Sequence, residues 1–211
     1  MGMRDRGEPL RGGDHGVRAR DAMQSDIKEI LIETKEIKER VAALAEEIAR
    51  DYRDKNPVLV GVLNGAFVFL ADLARRLDIP CSVDFVSWSS YGKDTSSSGV
   101  FRIMKDLETN VESKHVLIVE DIIDTGLTLH YLLDNIRARK PASVKVVALL
   151  DKPSRRRIEA KADYLGFQIP DAFVVGYGLD FGQRYRNLPY IAILKPDIYA
   201  GKGTPPDELE S

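Results

Sequence analysis

The stretch VLIVEDIIDTGLT, residues 116–128, decides how this chain is read. Val116, Leu117, Ile118 and Val119 form an apolar run without polar alternation, the pattern of a strand buried on both faces of a parallel sheet. The run stops at Glu120 and Asp121. Asp124 adds a third carboxylate, Thr125, Gly126 and Thr128 supply small or hydroxyl-bearing positions, and Leu129, Leu132, Leu133 and Ile136 predict a helix. In open α/β sheets ligands bind beyond the carboxyl ends of the strands, and a helix N-terminus with free amides receives a phosphate. Thr125 and Thr128 can add hydroxyl donors there, while Gly126 lets the backbone come close. The carboxylates would repel that phosphate, so they face another part of the ligand: a sugar diol, a magnesium ion or a proton on a base.

The flanking sequence repeats this logic. Residues 58–63 form a second buried strand that ends at Asn64-Gly65-Ala66, before a helix carrying Phe67, Leu70, Leu73 and Leu77. Residues 143–150 form another, delivering Asp151-Lys152-Pro153 to the same sheet edge as the acidic turn. Residues 83–88 and 100–104 read as strands around a polar, core-free stretch, and residues 190–194 as a closing strand. Ile37, Val41, Leu44, Ile48 and Tyr52 recur at helical spacing, which predicts an amphipathic helix over 35–52 with Thr34 as its N-cap. Arg155-Arg156-Arg157 reads as a solvated turn without a role. Gly176 and Gly178 lack the third glycine of a dinucleotide fingerprint, so that reading fails.

Bulk properties bound the answer. At 211 residues, with 44% hydrophobic and 30% charged positions, the chain suits one α/β domain with a substantial core. Apolar strands alternating with helical patterns argue for a central, mainly parallel, twisted sheet flanked by helices. A net charge of −2 offers no global field for nucleic acid or an anionic membrane, and no apolar run reaches the length of a membrane span. A single cysteine, Cys81, excludes an intrachain disulfide and fits a reducing, cytoplasmic compartment. The glycine-rich, mixed-charge start reads as a disordered tail over 1–26, followed by one domain over 27–200 and a loose tail over 201–211. Residues after Pro196 already look loose.

The segment VLIVEDIIDTGLT resembles the ribose-phosphate-binding signature of the purine phosphoribosyltransferases, in particular the hypoxanthine-guanine type. The resemblance runs over roughly residues 30–199 and implies the type I phosphoribosyltransferase fold, with a small hood subdomain built from the chain ends and a flexible lid loop. It assigns the lid to the polar stretch containing Ser90 and Tyr91. Closing it would keep water from an activated sugar. It places Asn64 and Gly65 in a pyrophosphate-binding loop, which in the family often holds a non-proline cis peptide. This chain has Asn64 where the family usually has lysine, leaving the backbone amides to bind.

The same resemblance implies the remaining roles. Lys152 donates to the exocyclic oxygen of the purine, Phe173 stacks on the base, the Val174 backbone meets its edge, and Arg186 contacts pyrophosphate. Asp180, beside the purine, holds Mg2+, with Glu120 and Asp121 near the ribose hydroxyls and the metal. The backbone and hydroxyls of Asp124, Thr125, Gly126, Leu127 and Thr128 anchor the 5-phosphate, and Asp124 serves as general base. The implied reaction is purine salvage: transfer of the 5-phosphoribosyl group from phosphoribosyl pyrophosphate to N9 of hypoxanthine or guanine. Its products are IMP or GMP and pyrophosphate. The family implies a homodimer or homotetramer. Two alternatives share the fold: a xanthine-preferring transferase, since Lys152 and Phe173 do not fix carbon 2, and a non-catalytic nucleotide-sensing regulator. A regulator of nucleic acid would carry a basic face, against which the near-neutral composition argues.

Overall fold

The computed structural model of the chain describes residues 23–90 and 101–199. Residues 1–22 of the expected tail over 1–26, the expected tail over 201–211 and Tyr91 of the expected lid lie outside the described residues, whereas residues 23–25 of that first tail are helical and Asp26 accepts from the Tyr185 hydroxyl.

The elements run β1 (Ile27–Ile32), α1 (Thr34–Asp51), β2 (Val58–Leu63), α2 (Phe67–Ala74), β3 (Ser82–Ser90), β4 (Phe101–Lys105) and β5 (His115–Ile123). They continue with α3 (Leu127–Ala138), β6 (Ser143–Asp151), β7 (Tyr164–Gln168), β8 (Val174–Val175), β9 (Ile191–Leu194) and α4 (Pro196–Tyr199). Six strands form the central sheet in the order β4-β3-β2-β5-β6-β7, parallel except for the β3–β4 pair.

Strands without polar alternation arise because both sheet faces are covered. Leu59, Leu117, Val119, Val147 and Leu149 pack with Val41, Leu44 and Ile48 of α1 and with Phe69 and Leu73 of α2. Val58, Val60, Val116, Ile118, Val146 and Ala148 pack on the other side with Leu129, Leu132 and Ile136 of α3. Successive residues of one strand thus enter opposite cores.

From β2 the chain builds outward to β3, and from β5 it builds outward to β6 and β7. The reversal of strand order falls between β2 and β5, where an open α/β sheet leaves its crevice. Pairing of β2 with β5 ends at Gly61 and Val119, whereas β6 continues to pair with β5 as far as Ile123. Glu120 and Asp121 therefore lie on the strand itself, not in a turn after it as the sequence suggests.

Three further boundaries differ from expectation. The N-cap of α1 is Glu33, whose amide donates to Glu36 Oε2 at 2.9 Å, so Thr34 is the first helical residue. Strand β7 escapes the sequence pattern because Gly166 interrupts it; a Cβ there would stand 2.3 Å from the Leu149 carbonyl oxygen. Residues 196–199, expected to be loose, form the short α4.

A second, three-stranded antiparallel sheet, β1-β9-β8, joins the two ends of the domain into the hood. Its small core holds Val175, Phe181, Tyr185, Leu188 and Leu194. Hydrogen bonding of the hood reaches back to Asp26, which accepts from the Tyr185 hydroxyl at 2.6 Å.

Asp84 of β3 is buried and accepts from the amides of Phe85 (2.7 Å), Glu108 (3.0 Å) and Thr109 (2.7 Å), fastening the segment after β4 to the sheet. Burial pushes its carboxyl up, but the Thr109 and Phe85 amides prevail and hold it below the ordinary 3.8. Its stabilising contribution is present above that value and is lost as pH falls through the depressed one. Asp84→Asn should cost about 2 kcal/mol at pH 7 in denaturant unfolding, and the gap to the parent should close below about pH 4.

Candidate active site

A cleft of about 300 Å³ opens at the carboxyl end of β5, between the central sheet and the hood. Its wall contains Glu120, Asp121, Asp124, Thr125, Gly126, Thr128, Lys152, Phe173, Val174, Asp180 and Arg186, brought together from four separated segments. Asn64, Gly65 and Leu127 do not line it: Asn64 is exposed, Gly65 is buried beneath Asp121, and Leu127 begins α3. Ser90 closes β3.

The floor is acidic. Glu120 and Asp121 are 5% and 8% exposed. Asp121 Oδ1 accepts from the Ile122 amide at 2.9 Å, and a Cβ on Gly65 would sit 1.6 Å from Asp121 Oδ2. Only glycine at position 65 leaves room for that carboxylate. The Leu63–Asn64 peptide before it is cis, as the family resemblance implies. Burial pushes the Asp121 carboxyl up to about 6, against the opposing influence of the Ile122 amide and Arg186.

Beyond β5 the chain turns into α3. Gly126 caps the helix at a φ of 85°, where a Cβ would lie 2.8 Å from both the Ile158 carbonyl oxygen and the Ala160 side chain. The Leu127 amide donates to Thr125 Oγ1 at 3.3 Å, and the Thr125 carbonyl accepts from the Arg157 amide at 2.9 Å. This leaves a helix N-terminus at the cleft edge with hydroxyls around it, the arrangement an anionic phosphoryl group requires.

Asp124 stands between two cations. Lys152 Nζ lies 4.0 Å from Oδ2 and Arg155 Nε 3.2 Å from Oδ1, while Arg155 also reaches Asp171 at 3.6 Å. Arg155 is close enough to pair electrostatically with Oδ1 but is not aligned for a hydrogen bond. Among the described residues, Asp124 Oδ1 is therefore a buried side-chain acceptor without a donor; the Tyr52 hydroxyl and the Trp88 Nε1–H donor are likewise buried without a hydrogen-bond partner.

Two members of the arginine triplet are not solvated, while Arg157 is exposed as expected of a solvated turn. Arg155 lines the cleft, and Arg156 ion-pairs with Asp151 and donates from Nη1 to the Asp124 carbonyl at 2.7 Å. No periodicity marks these residues; their place just after Lys152 at a strand end was the available signal.

On the hood side Phe173 is half-buried, its ring centroid 5.6 Å from that of Phe181 and 5.4 Å from that of Tyr199. Tyr199 reaches the cleft through α4, whose sequence offered no sign of a site. Asp180 Oδ1 pairs with Arg186 Nη2 at 2.7 Å, and its Oδ2 accepts from the Gln183 amide at 2.7 Å.

Among the described residues no three His, Cys, Asp or Glu side chains gather as a metal cage. Asp121 and Asp180 nevertheless face one cleft, and Asp180 pushes the Asp121 carboxyl up, as neighbouring like charges do. One or two hard carboxylates, with the other positions left to substrate oxygens and water, fit magnesium better than a closed protein cage would.

The fold and the cleft define a ribose-phosphate transferase, and the Phosphoribosyl transferase domain family matches residues 28–182. The hypoxanthine-guanine phosphoribosyltransferase of Bacillus subtilis (strain 168) is 53% identical over 84% of this chain and 98% of its own length. That of Streptococcus pneumoniae (strain ATCC BAA-255 / R6) is 48% identical over 84% of this chain and 99% of its own. A crystal structure of a hypoxanthine phosphoribosyltransferase from Staphylococcus aureus superposes with a TM-score of 0.82 at 46% identity, covering 84% of this chain and 97% of that one. This chain belongs to the hypoxanthine-guanine phosphoribosyltransferase family.

Asp121 yields a test of the floor. A carboxyl raised from 3.8 to about 6 contributes stability that is complete below about pH 4 and lost as pH climbs through about 6. Asp121→Asn keeps the acceptor for Ile122 without the charge. The ligand-free variant should be the more stable protein at pH 8 by on the order of 2 kcal/mol, and equal to the parent near pH 4. Thermal unfolding across that range checks it.

Proposed function

We propose that this chain transfers the 5-phosphoribosyl group of phosphoribosyl pyrophosphate to N9 of hypoxanthine or guanine, forming IMP or GMP and pyrophosphate in purine salvage. The observation that carries this reading is Asp124 Oδ1: a buried carboxylate oxygen without a hydrogen-bond donor, 3.2 Å from Arg155 Nε, on a side chain whose other oxygen faces Lys152, at the lip of a helix N-terminus. An unsatisfied buried acceptor costs roughly 1–3 kcal/mol, which a purine N7–H donor relieves.

In this reading the α3 N-terminus, with Thr125, Thr128 and the backbone of 124–128, holds the 5-phosphate and fixes the sugar in line with the incoming nitrogen. Glu120 and Asp121 face the ribose hydroxyls. Phe173 stacks on the base and the Val174 backbone meets its edge. Lys152 donates to the 6-oxygen. Adenine carries an amino donor at that position, so a buried ammonium rejects it. Asp124 accepts the purine proton as N9 attacks. Pyrophosphate leaves toward the Gly65 turn and the Arg186 guanidinium, which offset its growing charge. Magnesium, held through Asp180 and Asp121 with Glu120 beside them, would supply further positive charge at the leaving oxygens.

The reading also carries a homodimeric or homotetrameric assembly, and a cytoplasmic location resting on the lone Cys81. Among the described residues no helix is long and apolar enough to cross a membrane.

The direct test is pyrophosphate release from the donor with hypoxanthine, guanine, xanthine and adenine in turn. Release with the first two and not with adenine is expected; silence with both at every magnesium concentration would refute the assignment. Asp124→Asn should lower kcat roughly hundredfold or more while IMP affinity changes less than about tenfold. Equal losses would remove Asp124 from the proton-transfer role.

A further inference from the structure

Two residues that line no part of the cleft tie together the loops on its pyrophosphate side. Asp72 lies on α2, the helix that follows the Asn64-Gly65 turn, and Tyr177 lies in the loop leading to Asp180 and Arg186. The buried Tyr177 hydroxyl donates to Asp72 Oδ2 at 2.6 Å across 105 residues of sequence, while Arg75 pairs with Oδ1. Burial and then Asp72 push this phenol well above its usual range, so it remains a donor at any physiological pH.

The neighbouring residue shows what the contact controls. Gly178 has a φ of 105°, and a Cβ on it would stand 2.1 Å from the Gly65 carbonyl oxygen. The two loops thus touch backbone to backbone immediately beside the Tyr177 anchor. Arg186 Nη1 then donates to the Gly178 carbonyl at 2.7 Å, and Arg186 Nη2 holds Asp180 at 2.7 Å. On the opposite side Gly65 packs against the Asp121 carboxylate. A glycine-to-glycine contact has no side chains to lock it. Val68 packs beside it, and the side-chain hydrogen bond that spans it is Tyr177–Asp72.

We infer that the Tyr177–Asp72 hydrogen bond is a positioning strut for the pyrophosphate subsite, setting the distance between the Gly65 turn and the Asp180–Arg186 pair. The inference rests on the phosphoribosyl-transfer reading above. Neither side chain touches substrate; both act through the backbone of Gly65 and Gly178. The strut governs the donor, whose diphosphate spans the two loops, and is indifferent to the base and to a nucleoside monophosphate, which lacks the diphosphate.

The test uses the full-length protein and the variants Tyr177→Phe, Asp72→Ala, Asp72→Asn and the double variant Tyr177→Phe/Asp72→Ala. Tyr177→Phe and Asp72→Ala should each raise the KM for phosphoribosyl pyrophosphate about tenfold, the effect of one lost buried hydrogen bond. KM for hypoxanthine and the affinity for IMP measured by calorimetry should stay within about twofold. Asp72→Asn retains an oxygen acceptor for the tyrosine and should restore the donor KM, and the double variant should be no worse than either single one. An unchanged donor KM in Tyr177→Phe overturns the inference. So does a loss of donor, base and IMP binding by one common factor, because that marks a merely structural contact. Should Tyr177→Phe not fold, Asp72→Ala and Asp72→Asn decide the question by the same comparison. A parent protein that turns over no donor sinks the functional reading itself; an active parent with insensitive variants sinks only the strut.

Discussion

The carboxylate of Asp121, pressed against the bare backbone of Gly65 at the mouth of the β2–β5 crevice, is the contact on which the rest of the molecule depends. It joins the two strands between which the sheet reverses its order, and it can do so only because position 65 has no side chain. A charge placed there loses its hydration and is stabilised in return by the amides of Ile122 and of Asp121 itself and by the Arg186 guanidinium, which together do not offset its burial. A fold selected for stability alone would put an apolar residue at that point. Retaining the acid makes the ligand-free protein weaker and leaves a concentrated negative locus for whatever cationic or hydroxyl-bearing groups arrive with the substrate.

The cleft is organised as paired opposites. Asp124 lies between Lys152 and Arg155, Asp180 against Arg186, and Asp151 against Arg156. Within a low-dielectric cleft such pairs keep each side chain in one orientation before ligand arrives. That order is what turns a bimolecular encounter between sugar and base into an aligned one.

Much of this was legible in the residues. The buried strands β2, β5 and β6 announce themselves because both faces of the sheet are covered, and the acidic turn with its small residues marks the phosphate end of α3. The family resemblance then pointed to Lys152, Phe173, Asp180 and Arg186, which line the same cleft. What stayed hidden depends on tertiary partners. Gly166 makes β7 look broken until the Leu149 carbonyl is seen against it. Arg155 and Arg156 look like solvated charges until Asp124 and Asp151 are placed beside them. Tyr199 sits in a segment whose composition resembles a tail and is drawn to the cleft by Phe173. Glu120 and Asp121 look like a turn in the sequence because only pairing with β6 extends the strand to Ile123.

The hood has a consequence for biogenesis. Its sheet pairs Ile27–Ile32, near the start of the domain, with Ile191–Leu194, near its end. A nascent chain emerging from the ribosome can therefore complete the crevice and α3 while the hood wall of the cleft does not yet exist. That wall is complete only when β9 closes against β1. Until that moment β1 lacks its partner strand, and this is the interval in which pairing with another unfinished chain competes with correct closure.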